Sequence, residues 1–389
     1  MELFQASQQW AKRPDDQRFE SIDALYQATK AYYKAKVERP DVPYSTLRTE
    51  AQGSEIMLVG KGGIPARMTH WSFGNLARRV NAPADYLRSI PATLAAQNIN
   101  HGLKQLSEHS GNANILFHVQ DKDKQIFICR SISSDRYNRF WNYEIAERLL
   151  DSTQQGWRVP PARPAREGQS GTRRAAQSDV LDIGGGGGLS VRVGDLIAPA
   201  GIYASDHDMF VFLINQNNRV NDGTEGGLSR GMFVRNSEVS GASKFGICRF
   251  LFRHVCGNHI VWGASEYEEI AFRHVGHKLH DKIREAFEVS LVKYSNESGS
   301  DQELQIKAAK KKLLGATKEE VLDYLFGKRL CSRKLAETAY DAVIPEQDGD
   351  AKSIWGMTQG MTRTSQLNPF ADERVNMDNA AAKILALAF

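Results

Sequence analysis

The amino-acid sequence predicts an α+β protein: a central antiparallel sheet flanked by helices, followed by a mainly helical C-terminal region. Three observations carry this. Strand-like segments separated by turn residues fill positions 113–131 and 189–262, without the regular crossover helices that parallel pairing needs. Segments with helical apolar spacing stand before and between them. From about residue 276 onward the pattern is mostly helical, and 389 residues with 41% apolar content can bury a core without disulfides or metals.

In chain order, Ile22, Leu25, Tyr26 and Ala31 share roughly one face of an expected helix over 21–37, within an N-terminal arm of residues 1–55. A short strand over 55–59 and a turn at Gly62, Gly63, Ile64 and Pro65 follow. Residues 72–106 read as three helices separated by two breaks, with Ser72 capping the first, Pro83 opening the second and Pro91 the third. Residues 113–118 and 125–131 pair as strands around the polar turn Asp121-Lys122-Asp123-Lys124, and a helix over 142–151 comes next. Three prolines, five arginines and the run Gly184–Gly188 mark 152–188 as a mobile linker inside an α+β core of residues 56–275. Met209–Ile214 is apolar throughout, as in a buried strand, whereas 247–256 alternates, placing Cys248, Phe250 and Phe252 inward and Arg249 and Arg253 outward. The helical region 276–389 is broken by a disordered-looking stretch at 346–352.

The net charge of +4 is unevenly spread. Residues 156–175 carry five Arg and one Glu, and residues 302–335 carry nine Lys or Arg and four acids, so the remainder is net acidic. Localised basic segments suit a polyanionic partner. No run of 18 apolar residues is present, so no membrane span is expected. The N-terminus lacks a secretion signal, and Cys129, Cys248, Cys256 and Cys331 have no paired spacing. Reduced thiols and a cytoplasmic location in a bacterial host cell are the corresponding expectations.

Several stretches together are similar to the phage/plasmid-like protein family, a bacterial family whose domain has no assigned function. They are THWSFGNLARRVNAPADYLRSIPATLAAQNINHGL, SDRYNRFWNYEI, APAGIYASDHDMFVFLIN, RGMFVRNSEVSGAS, FRHVCGNHIVWGA with RHVG, and WGMTQGMTRTSQLNPFADERVNMDNAAAKIL, spread over residues 69–389. The resemblance implies a gene carried by phages, plasmids or integrated elements, and a product acting on DNA, RNA or host defences. The architecture also resembles that of Rad52-like single-strand annealing proteins.

FGNLARRVNAPADYL has the outline of a helix-turn-helix, but its second helix begins Ala84-Asp85-Tyr86, and an acid at the tip opposes groove insertion, so plain helix packing is the preferred reading. Arg136, Tyr137 and Arg139, with Phe140, Trp141 and Tyr143, alternate cations and aromatics, a pattern that grips phosphates and stacks on bases of single strands; buried aromatics at a helix cap are the equal rival. Arg158, Arg163, Arg166, Arg173 and Arg174 form a sequence-tolerant phosphate contact if the loop binds. Arg230, Arg235, Arg249 and Arg253 around Asn236-Ser237-Glu238 make the preferred nucleic-acid face, on paired strands.

Half of the histidines lie between His254 and His280, and His254, Cys256 and His259 offer metal ligands, yet paired zinc spacing is absent. Asp206 and Asp208 with Glu238 are weak candidates for a divalent cation. No nucleotide-binding loop, HExxH or G-x-S-x-G motif occurs. The expectation is therefore a non-catalytic nucleic-acid-binding protein, most naturally on single-stranded DNA, with homo-oligomerisation open and no cofactor required. A metal-dependent enzyme on nucleic acid or nucleotides and an inhibitor of a host defence protein are the alternatives.

Overall fold

A computed structural model describes residues 17–19, 21–108, 111–121, 126–134, 136–159, 163–164, 173–174, 193–194, 196–198, 202–205, 208–224, 227–239, 245–253, 259–260, 270–274, 278–367, 377 and 380–388. The chain is α+β, its sheets are dominated by antiparallel pairing, and its C-terminal region is mainly helical. Instead of one central sheet there are two large ones. The first runs β1-β5-β6-β4-β3-β2, from Lys36–Pro43 (β1), Arg48–Gln52 (β2), Glu55–Val59 (β3), Pro65–Met68 (β4), Asn112–Asp121 (β5) and Ile126–Ser133 (β6). Only β4 and β6 pair in parallel among the described strands. Residues 36–52, in the expected N-terminal arm, thus supply two strands of this sheet.

Helix α1 (Ile22–Lys34) starts where Ser21 accepts a hydrogen bond from the Ala24 amide at 3.1 Å. Helices α2 (His70–Arg79), α3 (Ala84–Ser89) and α4 (Ala92–Glu108) pack on the six-stranded sheet around Leu58, Leu76, Ile99, Leu103 and Ile115. The cap of α2 is Thr69, not Ser72: the Thr69 hydroxyl accepts from the Ser72 amide at 3.1 Å, while Ser72 Oγ turns inward to donate to Cys129 O at 2.7 Å. Asn100 of α4 closes the outer edge of β2. Its carboxamide accepts from Thr49 N at 2.6 Å and donates to Thr49 O at 2.8 Å, occupying backbone groups that an added strand would need.

Helix α5 (Asn142–Ser152) leads into Trp157–Arg158 (β7). Trp157 belongs to the core and not to a linker: it is buried, and its Nε1 donates to Leu291 O at 2.9 Å. Arg163–Pro164 (β8), Arg173–Arg174 (β9) and Leu196–Ala198 (β10) pair in the order β8-β10-β9. Residues 160–162, 165–172 and 175–188 of the expected linker, like the turn at 122–124, lie outside the described residues.

The second large sheet runs Ile202–Ala204 (β11), Met209–Val220 (β12), Leu228–Asn236 (β13), Phe245–Arg253 (β14) and His259–Ile260 (β15), with β7 on β12 and Ile270–Phe272 (β16) on β14. Both of its faces are buried. One packs against α1, α5 and α6 (Leu279–Phe287), the other gathers Tyr203, Phe210, Phe212, Phe233, Cys248 and Phe250. The sequence pattern of β14 therefore misled: Phe245, Ile247, Arg249 and Leu251 lie on the helix-covered face, and the apparent outward side is not solvent.

Helix α6 continues as a π-helical turn, Glu288–Lys293. Ser300–Lys311 (α7), Lys318–Gly327 (α8), Arg333–Asp341 (α9) and Ile354–Leu367 (α10) then enclose Trp355. Gly360 lies so close to Ala339 O that any Cβ there would collide, which is why α10 can pack tightly on α9. The stretch 346–352 is ordered, contrary to its composition. Asp348 is buried, pairs with Arg363 at 2.7 Å and accepts from Ile344 N at 2.9 Å, and these bonds pin a short helix, Pro345–Asp348.

Candidate nucleic-acid interface

The last turn of α2 carries Arg78 and Arg79, placed where cations complement the helix's C-terminal partial charge. The helix ends in a Schellman arrangement. Asn81 takes φ +54°, its amide donates to Arg78 O at 3.2 Å, and the Ala82 amide donates to Ala77 O at 2.9 Å. This reversal sends the chain to Pro83, which opens α3. Gly102 of α4 sets how near α2 comes, since a Cβ there would meet Val80 Cβ at 2.5 Å. Helix α3 has only six residues and its Asp85 is paired with Arg88 at 3.1 Å, so it is no groove-reading helix.

Two contiguous clefts flank this helix end, and Asn75 and Arg78 line both. These two residues are three apart, so they stand on one ridge of α2 between the clefts. The first cleft, about 450 Å³, has Trp71, His70 and Arg88 in its walls. Arg88 is held by Asp85, by the His70 carbonyl at 3.0 Å and by the Phe73 ring 5.0 Å below its guanidinium. The second cleft, about 590 Å³, has an apolar floor of Tyr44, Leu106 and Ile132 and a rim of Asp41, Arg79, Asn112 and Ser134. Arg78 is exposed, Arg79 half-buried, and no salt bridge engages either among the described residues. Unpaired guanidiniums beside aromatic walls are what a phosphate chain with bases requires.

The residues expected from sequence fare differently. Arg136 is exposed and lies two positions beyond Ser134 of the second cleft. Tyr137 and Arg139 turn inward and join the two sheets. Tyr137 OH donates to Ser237 O at 3.1 Å, and burial raises its pKa well above the ordinary phenol value. Arg139 donates to Glu238 O at 2.6 Å and to Glu38 at 3.0 Å, with desolvation lowering its pKa. Beside them Arg130 and Glu238 form a buried pair at 2.9 Å, and Glu238 also accepts from the Asn142 amide at 2.8 Å. The ring of His274 lies 5.3 Å from that of Tyr137, and burial, helped by the positive charge of Arg139, pushes its pKa down to about 4.

The preferred face of four arginines does not form. Arg230 is fully buried, donates to Glu297 O at 2.6 Å and stacks on Tyr294. Arg249 covers the same ring and meets the Glu297 carboxylate at 3.5 Å, so both are occupied inside the helix-packed face. Arg235 is half-buried on the opposite face of β13, paired across from Gly246, and the backbone of Arg253 pairs with that of Leu228. Arg158 is exposed on β7, and Arg174 is exposed and donates to Gly194 O at 3.1 Å. Arg163 and Arg173 are described only as strand backbone, and Arg166 lies outside the described residues.

The proposed cation ligands separate too. Glu238 is consumed by Arg130, and Asp208 caps the β11–β12 turn, accepting from Ser205 Oγ at 2.5 Å. Asp206, His254 and Cys256 lie outside the described residues, and His259 is seen only as backbone paired with Phe252. No cluster of three or more His, Cys, Asp or Glu side chains forms among the described residues. Cys129 is an inert buried thiol, its pKa pushed up to about 12 by desolvation.

Sequence reasoning identified the helix, break and helix around Arg78 but assigned it to packing. The available signal was Arg78-Arg79 directly before Val80-Asn81-Ala82-Pro83: cations in a last turn, followed by a left-handed cap and a helix-opening proline. No family model, curated protein or solved structure matches the chain.

Proposed function

We propose that the protein binds single-stranded nucleic acid, without chemistry on it, through the paired clefts about Asn75 and Arg78. The observation that carries this reading is the pair of unengaged guanidiniums, Arg78 and Arg79, on the walls of two joined clefts bearing Trp71, His70 and Tyr44. Concave troughs between a helix end and strand loops admit a flexible strand that can splay its bases, whereas a duplex presents stacked, paired ones. Phosphate contacts dominate such binding, so it is salt-sensitive and largely sequence-tolerant. The sequence resemblances to a mobile-element family and to Rad52-like annealing proteins point to recombination or strand annealing as the biological setting of this activity. Mobility shifts with single-stranded and duplex DNA and RNA at two salt concentrations test it. Single strands retained more tightly than duplex, with affinity falling as salt rises, support the reading; absence of retention at low salt refutes it.

A further inference from the structure

The second cleft contains an acid as well as cations, and the fold goes out of its way to put it there. Asp41 sits in a β-bulge: β1 keeps register with β5 at Arg39 opposite Ile115 and resumes at Val42 opposite Ala113, with one extra residue between. Asp41 absorbs the bulge at φ +52°, a left-handed conformation that Asp tolerates better than most residues do. Asn114 holds the bulge in place, accepting from the Asp41 amide at 3.0 Å and donating to Ser134 O at 3.4 Å, so Asp41 and Ser134 are set on the same cleft. Gly111 makes room beside them, since even a Cβ there would touch the Tyr44 ring at 3.2 Å.

Asp41, Arg78 and Arg79 line one cleft, yet no salt bridge joins the acid to either cation. A space of about 590 Å³ with a carboxylate on one wall and guanidiniums on another, none of them in a salt bridge among the described residues, complements a ligand that carries an anion and hydrogen-bond donors together. The first cleft has Arg78 and Arg88 but no acid in its lining. Phosphate is therefore drawn to the Arg78 ridge and the first cleft and is repelled from the Asp41 wall.

We infer that the second cleft is a base pocket in which Asp41 selects bases bearing an exocyclic amine, while Arg78 holds the adjoining phosphate. A carboxylate accepts from the N4 amine of cytosine, the N6 amine of adenine, or the N1 and N2 donors of guanine. Thymine and uracil offer one imino donor between two carbonyl oxygens, which a carboxylate repels. Tyr44, Leu106 and Ile132 supply the apolar surface beneath the base, and Asn112 and Ser134 its remaining polar contacts. Asp41 is thus the specificity residue of an otherwise sequence-tolerant site. The inference rests on the reading that these clefts take single-stranded nucleic acid.

Fluorescence anisotropy of the full chain with oligodeoxycytidine and oligothymidine of equal length tests it, on the wild type and on Asp41→Asn and Asp41→Ala. The carboxamide of Asp41→Asn is nearly isosteric and accepts the left-handed backbone, so folding is preserved. The wild type binds oligodeoxycytidine about fivefold more tightly than oligothymidine, the lower end of what one base contact discriminates. Both substitutions shrink that ratio while leaving the salt dependence unchanged, because no phosphate contact is lost. Equal wild-type affinity for the two oligomers overturns the base pocket and leaves the nucleic-acid reading standing. Failure to bind either oligomer overturns both. A cytidine preference that persists undiminished in both variants removes Asp41 from the role.

Discussion

The arginines that end α2 and those buried at the joint between the two sheets and against β13 and β14 do opposite things with the same side chain. Arg78 and Arg79 end a helix beside open clefts and have no salt bridge among the described residues. Arg130, Arg139, Arg230 and Arg249 are engaged inside the fold: Glu238, Glu38 and Glu297 take their charges, and Tyr32, Tyr137, Trp141 and Tyr294 take their faces. A guanidinium stacked on an aromatic ring beside a carboxylate holds the fold together, and one without a carboxylate is available to a ligand. The alternation of cation and aromatic that signals a base-stacking surface in sequence signals, in the folded chain, the joint between two sheets.

Glu238→Ala leaves the fully buried Arg130 uncompensated and frees the Asn142 amide, so we expect a loss of about 3–5 kcal/mol in urea unfolding. Replacing both Arg130 and Glu238 by Leu costs much less, because no unpaired charge remains. A single Glu238→Ala change that costs nothing contradicts the description of this joint as structural.

The same joint confers a pH dependence. The folded pKa of His274 is pushed down to about 4, below its unfolded value, so the unfolded chain binds the proton first as pH falls. Stability is complete above the ordinary imidazole range and declines as pH drops through it toward 4, the total being of order 1–3 kcal/mol. His274→Gln flattens the slope of unfolding free energy against pH in that window. An unchanged slope assigns the acid sensitivity to other groups.

What sequence disclosed and what it hid divide along local and long-range lines. Helix α1 begins at Ser21, Pro83 opens α3 and Met209 starts a buried strand because capping, proline geometry and apolar runs are local properties. The split into two sheets was not legible, since β1 joins β5 and β7 joins β12 across long sequence distances. Nor was the fate of each arginine. Glu238 lies 108 residues from Arg130, and Glu297 lies 67 from Arg230. Asp348 looked like part of a polar break because its partner, Arg363, sits on the following helix. The candidate site escaped for the converse reason: what distinguishes Arg78 and Arg79 is a place on clefts without a salt bridge among the described residues, which no window of sequence displays.

The most direct test sets the two classes of arginine against each other: the salt dependence of binding to a single-stranded oligonucleotide by wild type, by the Arg78→Ala, Arg79→Ala double variant and by Arg249→Ala, with melting temperature recorded on the same samples. Replacing the exposed or half-buried cleft pair leaves stability within about 0.5 kcal/mol, weakens binding and lowers the salt slope by about one to two units. Arg249→Ala loses its Glu297 and Tyr294 contacts and some stability, and its folded fraction binds as the wild type does, with the same slope. A folded cleft variant with wild-type affinity and slope, or a loss of binding confined to Arg249→Ala, contradicts the assignment of the interface to the clefts at Arg78.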